Sequence, residues 1–142
     1  RVMTSARSLN DSMGTYVAEQ VLRLMNRKGV LVKDASILIL GATFKENCPD
    51  TRNTKVVDIC RTLADYTENI RIYDPHADQS GFQKEYGIRI DNELPSGRFD
   101  AVILAVAHDE FRSIDLDMLK KEISVVYDVK GFLPRETVDG RL

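Results

Sequence analysis

The chain has 142 residues, of which 43% are hydrophobic and 30% charged, and its formal net charge is −2. This composition is typical of one soluble globular domain. It provides no basic field for nucleic acid or a membrane surface, and no apolar run of the roughly 18 residues that span a membrane. With two cysteines and no signal-peptide pattern, the chain is expected to be cytoplasmic.

A long helix is predicted over residues 4–28, and it ends at Arg27-Lys28-Gly29, where cations are followed by glycine. Arg1 opens directly into this helix without an initiator methionine, which we interpret as a boundary inside a longer protein. Gly14 costs the helix about 1 kcal/mol relative to alanine, so we expect another helix to pack closely there. The apolar face consists of Leu9, Met13, Val17, Val21, Leu24 and Met25.

Strands and helices alternate after residue 36. The predicted order is strand 36–40, helix 54–66, strand 69–73, helix 79–86, strand 87–91, strand 100–105, helical turns at 108–121 and a closing strand 124–128. Continuous apolar strands indicate burial on both faces. We therefore predict an α/β fold, a Rossmann-like and mostly parallel sheet with helices on both faces, preceded by the long helix. Residues 1–29 would form the helical unit and 30–142 the sheet domain.

The connection after the first strand, residues 41–53 (GATFKENCPDTRN), is the most informative segment. Connections from a strand to a helix usually take about 2–6 residues, whereas this one spans residues 41–53. In open α/β sheets, ligands bind outside the carboxyl ends of the strands. This connection carries Lys45, Arg52 and the start of a helix. Basic side chains and free backbone N–H groups gathered there suit a phosphate, although solvated surface charges are the usual fate of such residues.

A dinucleotide fingerprint is absent from the same connection. The pattern G-x-G-x-x-G retains only Gly41, because Thr43 and Glu46 occupy the other glycine positions, and Asp74 lies too far along for the ribose-binding acid. The sequence therefore favours a phosphate-bearing ligand held by side chains over NAD bound in the usual way.

A second basic candidate, Lys130, follows the last predicted strand in the segment Asp128–Phe132. The carboxyl ends of parallel strands share one edge, so Lys130 and Lys45 could converge on a diphosphate. A plain strand-ending turn with a solvated lysine is an equal alternative at this point.

The remaining polar residues give weaker signals. His76 and His108 lack a metal-ligand spacing, and we expect surface or capping roles for them. Cys60 lies on the inward face of a helix and is expected in the core, whereas Cys48 has no adjacent base to activate it. The acids at 109–110 and at 115 and 117 are expected at helix starts.

The segment 41–53 resembles the motif G-x-x-F-K-x-x-x-x-D-x-R of the UDP-glucose/GDP-mannose dehydrogenase family. Tyr73-Asp74-Pro75 is similar to the family's D-P turn, residues 10–17 to its central helix and residues 128–131 to its last motif. The amino-acid sequences of segments 46–50 and 105–108 are most similar to those of the bacterial UDP-N-acetylhexosamine 6-dehydrogenases. These enzymes make uronic acid sugars for capsule and other surface polysaccharides.

This resemblance implies a C-terminal UDP-binding domain with part of the central dimerising helix, and a homodimeric full-length enzyme. Phe44 and Lys45 match the pair that contacts the UDP-sugar, and Arg52 matches an arginine that reaches NAD on the other domain. Lys130 stands where many members have a nucleotide-binding arginine, so the charge is kept and the bidentate fork is lost. The domain that holds NAD and the catalytic cysteine are outside this chain, which is therefore expected to be inactive alone.

Two other interpretations stay open from the sequence. The chain could be a standalone Rossmann-like nucleotide-binding or regulatory module, or a structural piece whose main role is dimerisation through the long helix.

Overall fold

The computed structural model describes residues 6–52 and 54–142, with side chains from Met13 onward. Within them, five strands form one sheet, flanked by four α-helices and two short 3-10 turns. The elements in chain order are α1 (Ala6–Arg27), β1 (Ile37–Leu40), α2 (Val56–Ala64), β2 (Ile70–Tyr73), α3 (Gln79–Tyr86), β3 (Phe99–Leu104), a 3-10 turn (Asp109–Ser113), α4 (Leu116–Leu119), β4 (Lys120–Asp128), a second 3-10 turn (Arg135–Thr137) and β5 (Gly140–Arg141).

The sheet is parallel throughout and has the order β2-β1-β3-β4-β5. Ile37 pairs with Ile70 of β2 on one side and with Ala101 of β3 on the other. The chain therefore winds outward from β1 in both directions, and the carboxyl ends of β1 and β3 flank the switch point. This is the place where open α/β sheets bind ligands.

Both faces of the sheet are buried under helical segments, as predicted. The larger core lies between one face and helices α1, α2 and α3, and the smaller core lies under the 3-10 turn and α4 on the other face. The four β1 residues are at most 1% exposed, which explains why this strand is an uninterrupted apolar run.

Helix α1 packs against α2 and β4. Val17, Val21 and Met25 are buried as predicted, whereas Met13 is 38% exposed; the Leu9 side chain and positions 4 and 5 of the predicted helix lie outside the described residues. A Cβ atom on Gly14 would lie 2.6 Å from the Asp58 Cβ, so the close helix–helix contact expected there is confirmed. The division of the chain at residue 29 stays a prediction.

The predicted strand at 87–91 is wrong. Within this segment only Asp91 forms a bridge, to Tyr73. The side-chain NH₂ of Asn92 then donates to the carbonyl oxygens of Asp74 and Ala77. These two bonds turn the chain away from β2, so the ladder does not extend.

The last part of the sheet also differs from the prediction. β4 begins at Lys120 rather than at residue 124, because the Arg98 guanidinium donates to the Lys120 carbonyl and the strand pairs with Phe99 across a register shift. β4 does not close the sheet, since β5 pairs beyond it. The Asp139 carboxylate, which accepts from the Val126 N–H, holds the chain beside β4 although no apolar run marks β5.

Among the described residues, none of the helices has the length and apolar character needed to cross a membrane.

Candidate functional site

A cleft opens at the carboxyl edge of the sheet, where β1, β3 and β4 end. The space between its walls measures about 530 Å³, a figure that includes open solvent. Its walls come from α1, the β1–α2 connection, the start of α2 and the segments after β3 and β4. The lining residues are Met13, Gly14, Val17, Thr43, Phe44, Thr54, Lys55, Val56, Ile59, Ala105, Val106, Val129 and Lys130.

The β1–α2 connection is held close to the segment that follows β3. Gly41 has φ +104°, and a Cβ atom there would lie 2.6 Å from the Val106 Cβ and 2.9 Å from its nitrogen. Only glycine accommodates both the backbone conformation and the close approach. Farther along, the Phe44 N–H donates to the Asp50 carbonyl at 2.6 Å, and the Tyr86 hydroxyl donates to the Thr51 carbonyl at 3.0 Å. The connection is therefore a closed loop supported by α3.

Phe44 and Lys130, two of the predicted binding residues, line the same cleft. The Phe44 residue is 56% exposed, so much of its ring is available to a ligand. Lys45 is exposed next to Phe44 and does not itself line the cleft wall. Among the described residues, no carboxylate lies within 4.0 Å of the Lys45, Lys55 or Lys130 ammonium group, which leaves all three charges available to an anion.

Arg52, the predicted cofactor contact, lies outside the cleft lining. Its side chain is 85% exposed, and its guanidinium donates to both oxygens of Asp50 at 3.0 Å. These hydrogen bonds lower the pKa of the Asp50 carboxyl to about 2. Arg52 is therefore oriented by a neighbouring acid and remains accessible to solvent.

A buried hydrogen-bond network lies beneath the loop. Asp74, which directly follows β2, accepts from the Ala42 N–H at 2.6 Å and from the His108 Nε2 at 2.8 Å, and Asp74 and His108 are 0% exposed. Burial raises the pKa of the Asp74 carboxyl, but the hydrogen bonds from His108 and the backbone outweigh it, and the pKa is lowered overall. His108 also accepts from the Asn47 N–H through Nδ1.

The segment carrying Lys130 is held by a second buried aspartate. Asp128, at the end of β4, accepts from the Lys130 N–H at 3.0 Å and from the Leu133 N–H at 2.7 Å. Its two oxygens are used by backbone N–H groups, so the chain turns and Lys130 stays exposed at the cleft. The turn is therefore ordered, and the binding role of Lys130 stays a prediction.

The surface or capping role expected for His108 is wrong, since its side chain is fully buried. His76 is partly exposed and lies 2.9 Å from Glu110. Cys60 is buried as predicted, and burial raises the pKa of its thiol. The acids at 109, 110 and 117 lie in first helical turns and Asp115 caps α4, as expected.

Sequence reasoning missed Lys55 and the pairing of Asp74 with His108. A signal for Lys55 was available, because it directly precedes the apolar face of a helix that begins at the ligand-binding edge. The signal for the pair was position alone: Asp74 ends one strand and His108 follows another, so both had to reach the same edge of a parallel sheet.

The fold and the cleft define an α/β domain with a candidate ligand site at the switch point of a parallel sheet, where the lysines have no carboxylate partner among the described residues. The sequence profile of the UDP-glucose/GDP-mannose dehydrogenase family, UDP binding domain, matches residues 38–135. The chain belongs to this family, which confirms the resemblance of its motifs.

Two relatives agree with this assignment. The chain is 43% identical over 144 residues to a UDP-N-acetyl-D-glucosamine 6-dehydrogenase of Salmonella typhi, covering 99% of this chain and 34% of that protein. It is 41% identical to the enzyme of the same name from Pseudomonas aeruginosa, with the same coverage. The chain thus spans about a third of the length of these relatives.

Among solved structures, an NDP-N-acetyl-D-galactosaminuronic acid dehydrogenase from Methanosarcina mazei superposes with a TM-score of 0.81 at 19% identity, covering 96% of this chain and 30% of that one. This similarity shows that the fold is shared.

Proposed function

We propose that this chain is the substrate-binding domain of an NAD-dependent dehydrogenase that oxidises C6 of a UDP-N-acetylhexosamine, or of a UDP-hexose, to the uronic acid used in surface polysaccharides. The observation that carries the proposal is the cleft at the switch point, where Phe44 and Lys130 meet in a chain of this family. The names of the two relatives at 43% and 41% identity favour an N-acetylhexosamine.

The cleft offers what a nucleoside diphosphate needs. Lys130 and Lys55 supply positive charge from two walls, the first turn of α2 presents its N-terminal end, and Phe44 presents an exposed ring. Lys45 is proposed to reach the diphosphate from the rim beside Phe44. Binding energy from the nucleotide would anchor the sugar and orient its distant C6.

The residues after β1 do not fit a dinucleotide. The Thr43 side chain is 2% exposed and occupies the space of a fingerprint glycine, and its hydroxyl donates to the Lys45 carbonyl at 2.9 Å. The backbone approach that a pyrophosphate makes to such a turn is therefore blocked. NAD would be held outside this chain, with the exposed Arg52 as the proposed contact.

A homodimer is proposed for the complete protein, formed through α1. Met13 and Tyr16 are 38% and 48% exposed on this helix, although its opposite side is buried in the core. Sedimentation of Tyr16→Glu beside the parent protein tests this proposal, since a charge in the interface should shift the mass toward the monomer.

Calorimetric titration with UDP, and separately with NAD, tests the proposed function in the protein as its gene encodes it. Lys45→Ala should weaken UDP binding by roughly 10-fold, as expected for loss of one charge-assisted contact. Lys33→Ala is the matched control, because Lys33 is also exposed but precedes β1 at the opposite edge of the sheet. Equal UDP affinity in the two variants would contradict the role of Lys45, and absence of UDP binding in the parent protein would overturn the proposed function.

A further inference from the structure

One buried imidazole joins three segments at the ligand-binding edge. His108 follows β3, its Nε2 lies 2.8 Å from the Asp74 carboxylate at the end of β2, and its Nδ1 lies 2.8 Å from the Asn47 nitrogen in the loop after β1. A third contact, of 3.2 Å, joins Nε2 to the Thr43 hydroxyl. His108 is 0% exposed, so it has no direct access to a ligand in the cleft.

The partners of His108 define where its proton lies. The Asn47 backbone N–H can only donate, so Nδ1 must be an unprotonated acceptor. The Asp74 carboxyl, with its lowered pKa, accepts from Nε2, which therefore carries the hydrogen. The Thr43 hydroxyl gives its hydrogen to the Lys45 carbonyl, which leaves a lone pair facing Nε2. All three contacts agree on one neutral tautomer.

Asn47 is held on both sides by the His108 segment. Its φ is +58°, a left-handed conformation that asparagine tolerates better than most residues. Its N–H donates to His108, and its side-chain Oδ1 accepts from the Asp109 N–H at 3.0 Å. Thr43 and Asn47 flank the pair Phe44 and Lys45, so His108 fixes the loop immediately before and shortly after the two proposed binding residues.

We propose that neutral His108 is a positioning residue that sets the Phe44–Lys45 segment for binding the nucleotide diphosphate. The inference rests on the proposed function and adds a residue that touches no ligand. Loss of the Nδ1 acceptor would release Asn47 and let Lys45 move from the cleft rim. Loss of the Nε2 donor would instead weaken the contact with Asp74, which supports the fold beneath the loop.

Two variants separate these contacts, because each places a polar atom near the position of only one imidazole nitrogen. Asparagine places an oxygen near the Nδ1 position, so His108→Asn can still accept from Asn47. Glutamine places an NH₂ near the Nε2 position, so His108→Gln can still donate to Asp74. We expect His108→Gln to raise the UDP Kd, and the KM for the UDP-sugar, by about 3-fold to 10-fold with little change in kcat, the effect of one lost hydrogen bond.

His108→Asn should keep a UDP affinity closer to that of the parent. It should unfold at a lower denaturant concentration, because Asp74 loses the hydrogen bond from the imidazole. His76→Gln is the matched control: the His76 ring lies 4.6 Å from His108, and its Nε2 contacts Glu110 rather than the loop. It should bind UDP as the parent does. The measurements use the protein as its gene encodes it.

The outcomes distinguish the inference from the proposed function. If the parent fails to bind UDP, the proposed function is overturned and this inference with it. If the parent binds UDP and His108→Gln binds it equally well, the positioning role alone is overturned. The positioning role is also overturned if the two His108 variants lose UDP affinity in proportion to their loss of stability.

Nitrogen NMR of the imidazole in the parent protein gives a test that needs no variant to fold. The His108 ring should show a protonated Nε2 and an unprotonated Nδ1, and the Asn47 amide signal should shift when UDP is added. A protonated Nδ1, or an Asn47 amide that does not respond to bound UDP, would contradict the inference. His76 serves as the internal reference in the same spectrum.

Discussion

The close approach of the β1 loop to the segment after β3 can be measured by comparing two alanine substitutions. Gly41 and Gly97 both have φ +104°, but a Cβ on Gly97 would meet nothing within 4 Å, whereas one on Gly41 would lie 2.6 Å from the Val106 Cβ. Gly97→Ala therefore reports the backbone strain alone, about 1–3 kcal/mol. Gly41→Ala carries a similar strain together with the steric overlap.

The additional loss of stability in Gly41→Ala comes from the contact with Val106. The colliding atoms include the Val106 backbone nitrogen at 2.9 Å, which no rotamer change can move away. Overpacking of this kind costs about 1–3 kcal/mol, so the free energy of unfolding should be lower than that of Gly97→Ala by this amount. At about 4 °C per kcal/mol for a chain of this size, Tm should be lower by roughly 4–12 °C.

Urea denaturation of the two variants beside the parent is the assay, with equal m values required before midpoints are compared. Gly41→Ala should also weaken UDP binding, because the loop carrying Phe44 and Lys45 begins at this residue, whereas Gly97→Ala should not. Equal midpoints for the two variants would refute the argument that the site depends on this contact.

Three further predictions concern charge and packing. Arg52→Ala removes the guanidinium hydrogen bonds to Asp50 and keeps the one from the backbone N–H, so carboxyl NMR should show the Asp50 pKa rising from about 2 part of the way to 3.8; an unchanged pKa would mean that the side-chain pair does not form in solution. Asp74 has a lowered pKa in the fold, so its charge stabilises the protein above about pH 4 and this contribution disappears as pH falls through the lower, folded-state pKa. Asp74→Asn should therefore be less stable than the parent at pH 7, with the difference shrinking in acid; a difference independent of pH would exclude the charge as its source. Phe82→Ala leaves a cavity at a site that is 0% exposed and should cost about 3–5 kcal/mol in urea denaturation, and a loss below about 1 kcal/mol would show that α3 is not part of the core.

The elements with strong apolar patterns were predictable from the sequence, and those held by polar contacts were not. β1 is a continuous apolar run, and so is β3 from Ala101 to Leu104. Helix α2 has an inward face of Val56, Ile59, Cys60 and Leu63, and all four are buried. β5 carries no such pattern, because one carboxylate bond to the Val126 N–H holds the chain beside β4. Local periodicity detects burial, whereas a contact between residues distant in the chain leaves no periodic signal.

The same distinction applies to the site. The loop after β1 was predictable because its position at the carboxyl end of a strand and its basic residues coincide in one segment. The network beneath the loop draws on Thr43, Asp74 and His108, which come from three segments of the chain. Each of these residues alone is an ordinary polar residue, and only the sheet order makes them neighbours.

The two buried aspartates explain how a chain with net charge −2 keeps cations unpaired in its cleft. Asp74 directly follows β2, Asp128 is the last residue of β4, and both are 0% exposed. Asp74 accepts from the Ala42, His76 and Ala77 N–H groups as well as from His108, and Asp128 accepts from two backbone N–H groups. Their negative charge is thus balanced by donors of the fold.

Carboxylates whose acceptor positions are filled in this way do not compete for the lysines above them. Asp74 binds the Ala42 N–H in the loop after β1, and Asp128 binds the N–H groups of the loop after β4. These two loops present Lys45 and Lys130 without an acidic partner among the described residues. A ligand diphosphate would then be the counterion that these loops lack. Replacing Asp128 by asparagine should for this reason disturb the position of Lys130 and weaken UDP binding, even though the change makes the protein less negative.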